Sequence, residues 1–165
     1  MVLIVMGVVG AGKTTVGALL ARRLGWDFTD ADDLHPPTNV EKIRRGMGLS
    51  DADRAPWLAA LRHAIEQWNR VGANVVLACS ALKHAYRERL RTGSVQFVYL
   101  KASSELILTR LGGRHGHFAS ATILASQFSD LEEPAGAITV EVDKTPEAIV
   151  SEIMEKISTR ESTGR

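Results

Sequence analysis

The distribution of apolar residues along the chain predicts short strands that are buried on both faces. Continuous apolar runs, rather than alternating ones, occupy Val2–Val9, Val75–Ala78, Val95–Leu100 and Ile138–Val142. Runs of this length are typical of strands that are covered by other elements on both sides. A shorter segment around Trp26–Thr29 predicts a fifth strand.

Segments with helical periodicity lie between these strands. In the longest of them, apolar residues recur at a helical spacing and predict one buried stripe. That stripe consists of Trp57, Leu58, Leu61, Ile65 and Trp68. The predicted helices span Lys13–Leu24, Asn39–Gly46, Asp53–Val71, Leu82–Arg91, Ser104–Gly112, Ser120–Leu131 and Pro146–Ile157.

The alternation of strands and helices predicts parallel βαβ units and an α/β fold. We expect a three-layer α/β/α sandwich around a five-stranded parallel sheet. With 165 residues, no internal repeat and no Pro- or Ser-rich linker, residues 1–165 are expected to form a single domain. The polar end of the chain, residues 158–165, is expected to fray. Ligands of such a fold bind at the carboxyl ends of the strands.

Composition and charge exclude several classes of function. The 20 basic and 19 acidic residues give a net charge of +1, so neither nucleic acid nor an anionic membrane is expected as a partner. No apolar run approaches the roughly 20 residues of a membrane span, and no basic region precedes the first run as in a signal peptide. Cys79 is the single cysteine and is expected to be a core residue. The expected compartment is the cytoplasm.

A phosphate-binding sequence follows the first predicted strand. Residues 7–14 read GVVGAGKT and match the pattern GxxxxGK[ST] between a strand and a helix. Glycines allow the loop backbone to approach phosphate oxygens, and the helix that follows directs its positive end at them. Lys13 is expected to reach the β- and γ-phosphates of ATP or GTP, and the Thr14 hydroxyl to bind Mg²⁺. The nucleotide-site candidates are Gly7, Gly10, Ala11, Gly12, Lys13, Thr14 and Thr15.

Two carboxylates, Asp30 and Asp32, follow the second predicted strand. A spacing of two residues directs both side chains toward the same crevice. Phosphoryl transfer to an alcohol requires one group near the metal and another that accepts the hydroxyl proton. We therefore expect Asp30 to act at the metal and Asp32 to act as the catalytic base.

Four longer stretches of the sequence are distinctive: MGVVGAGKTT, DADDLHPPTNVEKIRRGMGLSDADRAPWL, CSALKHAYRERLR, and RHGHF followed by SQFSDLEEP. These stretches resemble those of the gluconokinases, small P-loop kinases related to the shikimate kinases. They occur in the family's order from Gly7 to Pro134, so the resemblance covers nearly the whole chain. It implies a P-loop NTP hydrolase fold with a lid, the cofactors ATP and Mg²⁺, and a homodimer. The implied reaction is the ATP-dependent phosphorylation of D-gluconate to 6-phospho-D-gluconate.

The carboxylate of gluconate requires a cation on the acceptor side of the site. Arg54 is the first candidate. Lys83 and Arg87 lie four residues apart, one helical turn, and are expected to present two positive groups on one face. His35 and Lys42 complete the substrate candidates, within an acceptor-binding helical region of about residues 35–72.

A lid is predicted over about residues 110–120. Arg110 and Arg114 lie one helical turn apart, at spacings suited to ATP and to the charge that develops on the transferred group. Arg110 is assigned to the nucleotide and Arg114 to catalysis, while His117 is expected to face the substrate. Glycines at 112, 113 and 116 are expected to act as hinges.

Two alternative functions remain open at this point. A kinase of the same class would phosphorylate another small polyol or shikimate, and a nucleotide-dependent switch would bind a protein or RNA. Shikimate kinases usually carry a glycine triplet after the third strand, where this sequence has Cys79-Ser80-Ala81-Leu82-Lys83, which disfavours shikimate. The absence of a basic stripe and of an NKxD-like segment disfavours a switch protein.

Overall fold

A five-stranded parallel sheet forms the centre of the computed structural model, which describes residues 1–112 and 117–163. The strand order is β2-β3-β1-β4-β5, and every neighbouring pair is parallel. The predicted five-stranded α/β fold is therefore confirmed. The strands are β1 (Val2–Met6), β2 (Asp27–Asp30), β3 (Val75–Ala78), β4 (Val95–Lys101) and β5 (Ile138–Glu141).

The central strand, β1, is the most buried of the five. All five of its residues are buried, and it lies between β3 and β4, with Val2 opposite Val75 on one side and Val95 on the other. A central strand is covered by helices on both faces of the sheet, so its side chains are apolar on both faces. The strand ends at Met6 rather than at Val9, because the backbone turns into the phosphate loop at Gly7.

Seven α-helices and one short 3-10 helix connect the strands in the described part of the chain. The 3-10 helix covers Ala31–Leu34 and directly follows β2. The α-helices are α1 (Lys13–Leu24), α2 (Pro37–Arg44), α3 (Asp51–Arg70), α4 (His84–Leu90), α5 (Ser104–Gly112), α6 (His117–Asp130) and α7 (Pro146–Thr163). Among the described residues, no helix combines the length and the apolar character that crossing a membrane requires.

The helices cover both faces of the sheet and so produce the three predicted layers. On one face, residues of α1, α5, α6 and α7 form a cluster with one side of the strands. On the other face, residues of α3 and α4 form a second cluster with the strands. The predicted apolar stripe of α3 is buried in this cluster from Trp57 to Ile65. Burial of these apolar side chains on two faces supplies the main stabilisation of the fold.

The carboxyl-terminal helix is longer than the sequence predicted. Residues 158–163 continue α7, whereas the segment from Ser158 onward was expected to fray. The extension is held by Arg160, whose guanidinium donates to the carbonyls of Gly136 (2.8 Å) and Ala137 (2.9 Å). These charge-assisted hydrogen bonds stabilise the last turns of α7, which the polar sequence of residues 158–163 did not predict.

The strand order creates a crevice between β1 and β3. The chain leaves β1 through α1, on one face of the sheet, and leaves β3 through α4, on the other face. Neighbouring strands whose connections depart to opposite faces leave an opening at their carboxyl ends, where open α/β sheets bind ligands. The phosphate loop follows β1 and the CSALK segment follows β3, so both border this opening.

Candidate active site

A cavity of about 590 Å³ lies at the carboxyl ends of β1, β2 and β3. It brings together the phosphate loop, the two carboxylates after β2, the end of β3 and side chains from α5 and α6. Residues that are far apart in the sequence therefore share one space, as predicted for this edge of the sheet. The lining residues are Val9, Gly10, Gly12, Lys13, Thr14, Thr15, Asp30, Asp32, Ala78, Cys79, Ser80, Arg110, Leu111 and Gln127.

Glycines shape the phosphate loop at two positions. Gly12 caps α1 with φ 94°, a backbone conformation that residues with side chains rarely adopt. A Cβ on Gly7 would lie 2.9 Å from the carbonyl oxygen of Leu100, so β4 approaches too closely for any larger residue. The first turn of α1 consequently points its free N–H groups into the cavity.

Not every residue of the predicted nucleotide site reaches the cavity surface. Gly10, Gly12 and Thr15 line it, whereas Gly7 and Ala11 are absent from its lining. Ala11 is buried, and its N–H donates to the carbonyl of Val8 over 3.2 Å. Gly7 and Ala11 therefore support the conformation of the loop without reaching the cavity surface.

Lys13 places its ammonium group at the base of the cavity. Its Nζ donates to the carbonyl oxygen of Val8 over 3.0 Å, which keeps the side chain folded along the loop. Burial lowers the pKa of Lys13, while the nearby carboxylates of Asp32 and Asp30 oppose that shift. A half-buried cation held in this way is preorganised to meet phosphate oxygens.

Thr14, Asp30 and Asp32 form a connected group beside Lys13. The Thr14 hydroxyl donates to Asp30 Oδ2 over 2.6 Å, and Asp30 Oδ1 accepts from the Asp32 N–H over 3.0 Å. Asp30 thus caps the 3-10 helix and fixes the position of Asp32.

The hydroxyl and carboxylate oxygens of this group fit Mg²⁺, which prefers oxygen ligands and retains several water molecules. In the described part of the chain, no cluster of three or more His, Cys, Asp or Glu side chains forms a complete cage. Two protein oxygens next to a phosphate site match the ion's usual mode of binding beside nucleotides. Thr14 and Asp30 are therefore the residues that would hold it.

Asp32 has the electrostatic character of a proton acceptor. Partial desolvation at the cavity raises its pKa, the neighbouring Asp30 raises it further, and His35 and Lys13 oppose the shift. A carboxylate whose pKa lies above its ordinary value binds a proton more readily. The predicted role of Asp32 as the catalytic base requires this property and stays a prediction.

The candidate cations of the acceptor side form a second network, outside the cavity lining. Arg54 Nη1 donates to the hydroxyl of Tyr86 over 3.2 Å and lies 4.0 Å from Asp130 Oδ2. Lys83 Nζ lies 3.0 Å from Asp51 Oδ1. The Tyr86 hydroxyl donates to the same Asp51 oxygen, and both cations lie over the Tyr86 ring. Arg54 and Lys83 thus lie around one tyrosine ring, but each already faces a carboxylate.

His35 and Lys42 are positioned by α3. The His35 ring stacks on Trp57 with centroids 4.4 Å apart, and the Trp57 indole N–H donates to the Ala31 carbonyl over 2.7 Å. Lys42 Nζ lies 2.7 Å from Asp53 Oδ1, and this contact is the main reason that the pKa of Asp53 falls to about 2. Neither side chain lines the cavity, so their predicted contact with substrate stays a prediction.

Comparison with known proteins identifies the family. A model described as shikimate kinase matches residues 9–158. A gluconokinase from Gluconobacter oxydans (strain 621H) is 46% identical, with 92% of this chain and 88% of that protein covered. A probable gluconokinase from Xenopus tropicalis is 45% identical, with 93% and 91% covered. The chain belongs to the gluconokinase family.

A solved structure agrees with this membership. The crystal structure of a gluconokinase from Sinorhizobium meliloti 1021 matches with a TM-score of 0.85 and 38% identity, over 95% of this chain and 91% of that one. The resemblance found in the sequence is confirmed, and with it the P-loop kinase fold and the assignment to a family of nucleotide-using enzymes.

The prediction that Arg87 of this gluconokinase-family chain contacts the substrate is wrong. Arg87 is only 3% exposed, and its Nη1 donates to the main-chain carbonyls of Ala81 (2.9 Å) and Leu82 (2.8 Å). Lys83 precedes α4 as its N-cap and points toward Asp51 instead. The two cations therefore do not share a face, because the turn before α4 directs them apart.

The predicted lid is described in part. Arg110 lines the cavity, and its guanidinium donates to the carbonyl of Val142. Arg114 lies outside the described residues, as does the side chain of His117, which begins α6. Their predicted roles stay predictions.

The structure also reveals site residues that the sequence analysis missed. Gln127 Oε1 accepts the N–H of Val9 over 2.6 Å and so ties α6 to the phosphate loop. Tyr86 joins the two acceptor-side cations. Both lie within stretches that carried the family resemblance, SQFSDLEEP and CSALKHAYRERLR, which was the only signal available for them.

Cys79 is a core residue, as expected from the sequence. Its side chain is buried at the end of β3, and burial raises the pKa of the thiol to about 12. A thiol with so high a pKa does not ionise at neutral pH and is inert as a nucleophile.

Proposed function

We propose that this chain transfers the γ-phosphoryl group of ATP to the 6-hydroxyl of D-gluconate, giving ADP and 6-phospho-D-gluconate. The observation that carries this proposal is the single cavity that holds the P-loop lysine, Lys13, together with the carboxylate of Asp32. A phosphate cradle and a proton acceptor in one space suit phosphoryl transfer to an alcohol. The gluconokinases from several organisms at 39–46% identity support gluconate as that alcohol.

The phosphate loop binds and orients the nucleotide in this proposal. Free N–H groups at the start of α1 and the Lys13 ammonium surround the β- and γ-phosphates. Thr14 and Asp30 would hold Mg²⁺, which would supply charge neutralisation on the phosphate oxygens. Arg110, at the cavity wall, contacts the nucleotide, and Arg114 stabilises the charge that develops on the transferred group.

Asp32 orients the acceptor hydroxyl and takes its proton. As the oxygen of the 6-hydroxyl forms its bond to the γ-phosphorus, the bond to the β–γ bridging oxygen breaks and ADP departs. The hydroxyl proton passes to the Asp32 carboxylate, whose raised pKa favours that acceptance. The fixed hydrogen bond from the Asp32 N–H to Asp30 holds the base in place.

Arg54 and Lys83 bind the gluconate carboxylate. Both belong to the network around Tyr86, on the acceptor side of the cavity, and both face carboxylates of the protein itself. The incoming carboxylate takes the place of Asp130 or Asp51 at one of these cations, an exchange of one anionic partner for another. His35, Lys42 and His117 contact the hydroxyl groups of the substrate.

The proposed acceptor-binding region, lid and homodimer are those that the resemblance to the gluconokinases implies. Residues of about 35–72 form the acceptor-binding region, and residues of about 110–120 form a lid that excludes water from the reaction. We further propose a cytoplasmic homodimer. These assignments are supported by the similarity to gluconokinases over most of the chain.

A coupled assay of ADP release tests the proposed function. Purified protein receives ATP and Mg²⁺ with D-gluconate, D-glucose or shikimate, and Lys13→Ala serves as the inactive reference. We expect turnover with gluconate and little with the other two. Equal turnover with shikimate or glucose would leave only the kinase class, and ATP hydrolysis that ignores every acceptor would favour a nucleotide-dependent switch.

A further inference from the structure

The segment after β3, residues 79–83, contains an unusual backbone conformation. Ala81 has φ 44°, and it is the one non-glycine residue with a left-handed backbone within residues 1–112 and 117–163. A residue with a side chain persists in this conformation only where its surroundings hold it there, and such strain clusters at ligand sites. Ala81 is buried, so the restraint must come from the protein interior.

Arg87 supplies that restraint. Its Nη1 donates to the carbonyls of Ala81 (2.9 Å) and Leu82 (2.8 Å), and its side chain is almost completely buried. The Leu82 carbonyl also accepts from the N–H of Glu132 over 3.0 Å, so the loop that follows α6 fixes the segment as well. A buried charge is costly unless it is hydrogen-bonded, so the guanidinium and the two carbonyls depend on one another.

The restrained segment joins the two halves of the site. Ser80 lines the cavity that the phosphate loop also lines. Lys83, three residues later, reaches Asp51 in the acceptor-side network. A change in the backbone at Ala81 therefore moves Ser80 and Lys83, whereas the phosphate loop is built separately on β1 and α1.

We propose that Arg87 is a positioning residue for the acceptor: it holds Ala81 in its left-handed conformation and thereby sets where Ser80 and Lys83 meet the substrate. The proposal rests on the proposed function, because the acceptor is taken to be gluconate. Arg87 acts through the main chain and does not touch the substrate. Acceptor binding consequently depends on it, and nucleotide binding does not.

The first test compares two arginines of α4. Arg87→Lys keeps the charge, but the lysine ammonium is one bond closer to the main chain than the Arg87 Nη1 that donates to both carbonyls, so it falls short of them. We expect the KM for gluconate to rise about tenfold while the KM for ATP stays within about twofold. Arg89→Lys, on the exposed side of the same helix, is the matched control and should change neither constant. Equal rises in both constants for Arg87→Lys, or no rise in either, would overturn the proposal.

The second test asks whether residue 81 mediates the effect. Glycine adopts a positive φ without strain, so Ala81→Gly should hold the segment in place with less help from Arg87. On the Ala81→Gly background, we expect Arg87→Lys to raise the gluconate KM only about twofold. The same tenfold rise on both backgrounds would contradict the proposed route through the main chain.

Folding and stability measurements test the link between Arg87 and Ala81 where the activity assay gives no result. Should the Arg87→Lys variant not fold, the double variant with Ala81→Gly is expected to fold, and its failure to do so would overturn the proposal. If the wild-type protein does not phosphorylate gluconate, the proposed function is wrong. The link between positions 81 and 87 is then measured by urea unfolding. Arg87→Lys should lower the unfolding midpoint less on the Ala81→Gly background than on the wild-type background. Equal decreases in the midpoint on both backgrounds would overturn the proposal.

Discussion

The phosphate side and the acceptor side of this site are organised differently. On the phosphate side, the helix N-terminus, the Lys13 ammonium and the Asp30–Asp32 pair face one open cavity. On the acceptor side, Arg54 and Lys83 lie outside that cavity lining and are engaged with Asp130 and Asp51. One side presents its groups to the ligand, whereas the other holds its cations in internal ion pairs.

This difference indicates how each half achieves binding. The phosphate side is fixed by backbone geometry, which meets the same triphosphate in every cycle without rearrangement. In the proposed mechanism, the acceptor side exchanges one carboxylate partner for another, so its affinity is the difference between two similar interactions. Substitutions on the phosphate side should therefore act mainly on kcat, and those on the acceptor side mainly on KM.

The largest effect is expected for Lys13→Ala. The Lys13 cation meets the charge that develops between the β- and γ-phosphates, and its removal should lower kcat by about 10³-fold. The measurement is steady-state ADP release at saturating gluconate, with Arg23→Ala at the far end of α1 as the control. A folded Lys13→Ala variant with nearly normal kcat would break the account of the phosphate side.

Asp32→Asn should produce the next largest effect. The amide keeps the shape of the side chain but cannot accept the hydroxyl proton, so kcat should fall about 10²-fold while nucleotide affinity stays close to wild type. Stopped-flow nucleotide binding and steady-state turnover measure the two properties. The adjacent Asp33→Asn, which is outside the cavity lining, is the matched control.

Asp30→Asn distinguishes the two carboxylates. It should raise the Mg²⁺ concentration needed for half-maximal activity about tenfold, since Asp30 is the proposed metal residue. Asp32→Asn should leave this requirement unchanged. An equal change in Mg²⁺ requirement for both variants would show that the two residues do not divide the roles.

The acceptor-side cations should shift KM rather than kcat. Arg54→Ala and Lys83→Ala are each expected to raise the gluconate KM about tenfold, with a smaller fall in kcat. Arg62→Ala, which removes a surface ion pair with Glu66 on the same helix as Arg54, should change neither. A loss confined to kcat in both variants would mean that these cations act on the transferred group and not on the substrate carboxylate.

The smallest effect concerns stability and pH. Partial desolvation and Asp30 raise the pKa of Asp32 in the folded protein, so its ionised form disfavours folding at neutral pH. Asp32→Asn should therefore raise Tm by about 1–2 °C at pH 7. The gain should disappear as the pH falls through the raised pKa toward the ordinary carboxyl range, because both states then bind the proton. A gain that grows on acidification would contradict the sign of the pKa shift.

Local sequence signals were sufficient for much of the fold. Helix α1 has the predicted bounds because Gly12 and Gly25 cap its two ends, and both adopt left-handed conformations. The strand β1 ends earlier than predicted, since a continuous apolar run does not mark where the phosphate loop begins. The phosphate side was predicted well because a short contiguous pattern encodes its geometry.

The acceptor side was harder to predict because its geometry depends on distant contacts. Helix α4 begins at His84 and not at Leu82, since the preceding residues are held by Arg87 and Glu132. Spacing alone placed Lys83 and Arg87 on one face and gave no sign that one guanidinium is buried against main-chain carbonyls. Tyr86 carries no pattern that separates it from an ordinary aromatic core residue.

The central claim is that the acceptor is a sugar acid recognised through its carboxylate. The most direct test is the ratio of kcat/KM for D-gluconate to that for D-glucitol, which carries a hydroxymethyl group in place of the carboxylate. With the neutral analogue, Arg54 and Lys83 keep their internal carboxylate partners and gain no ionic contact with the substrate, so the site should prefer gluconate by about 10²-fold or more. Arg54→Ala or Lys83→Ala should reduce that ratio. A ratio near one in the wild-type protein would contradict the claim.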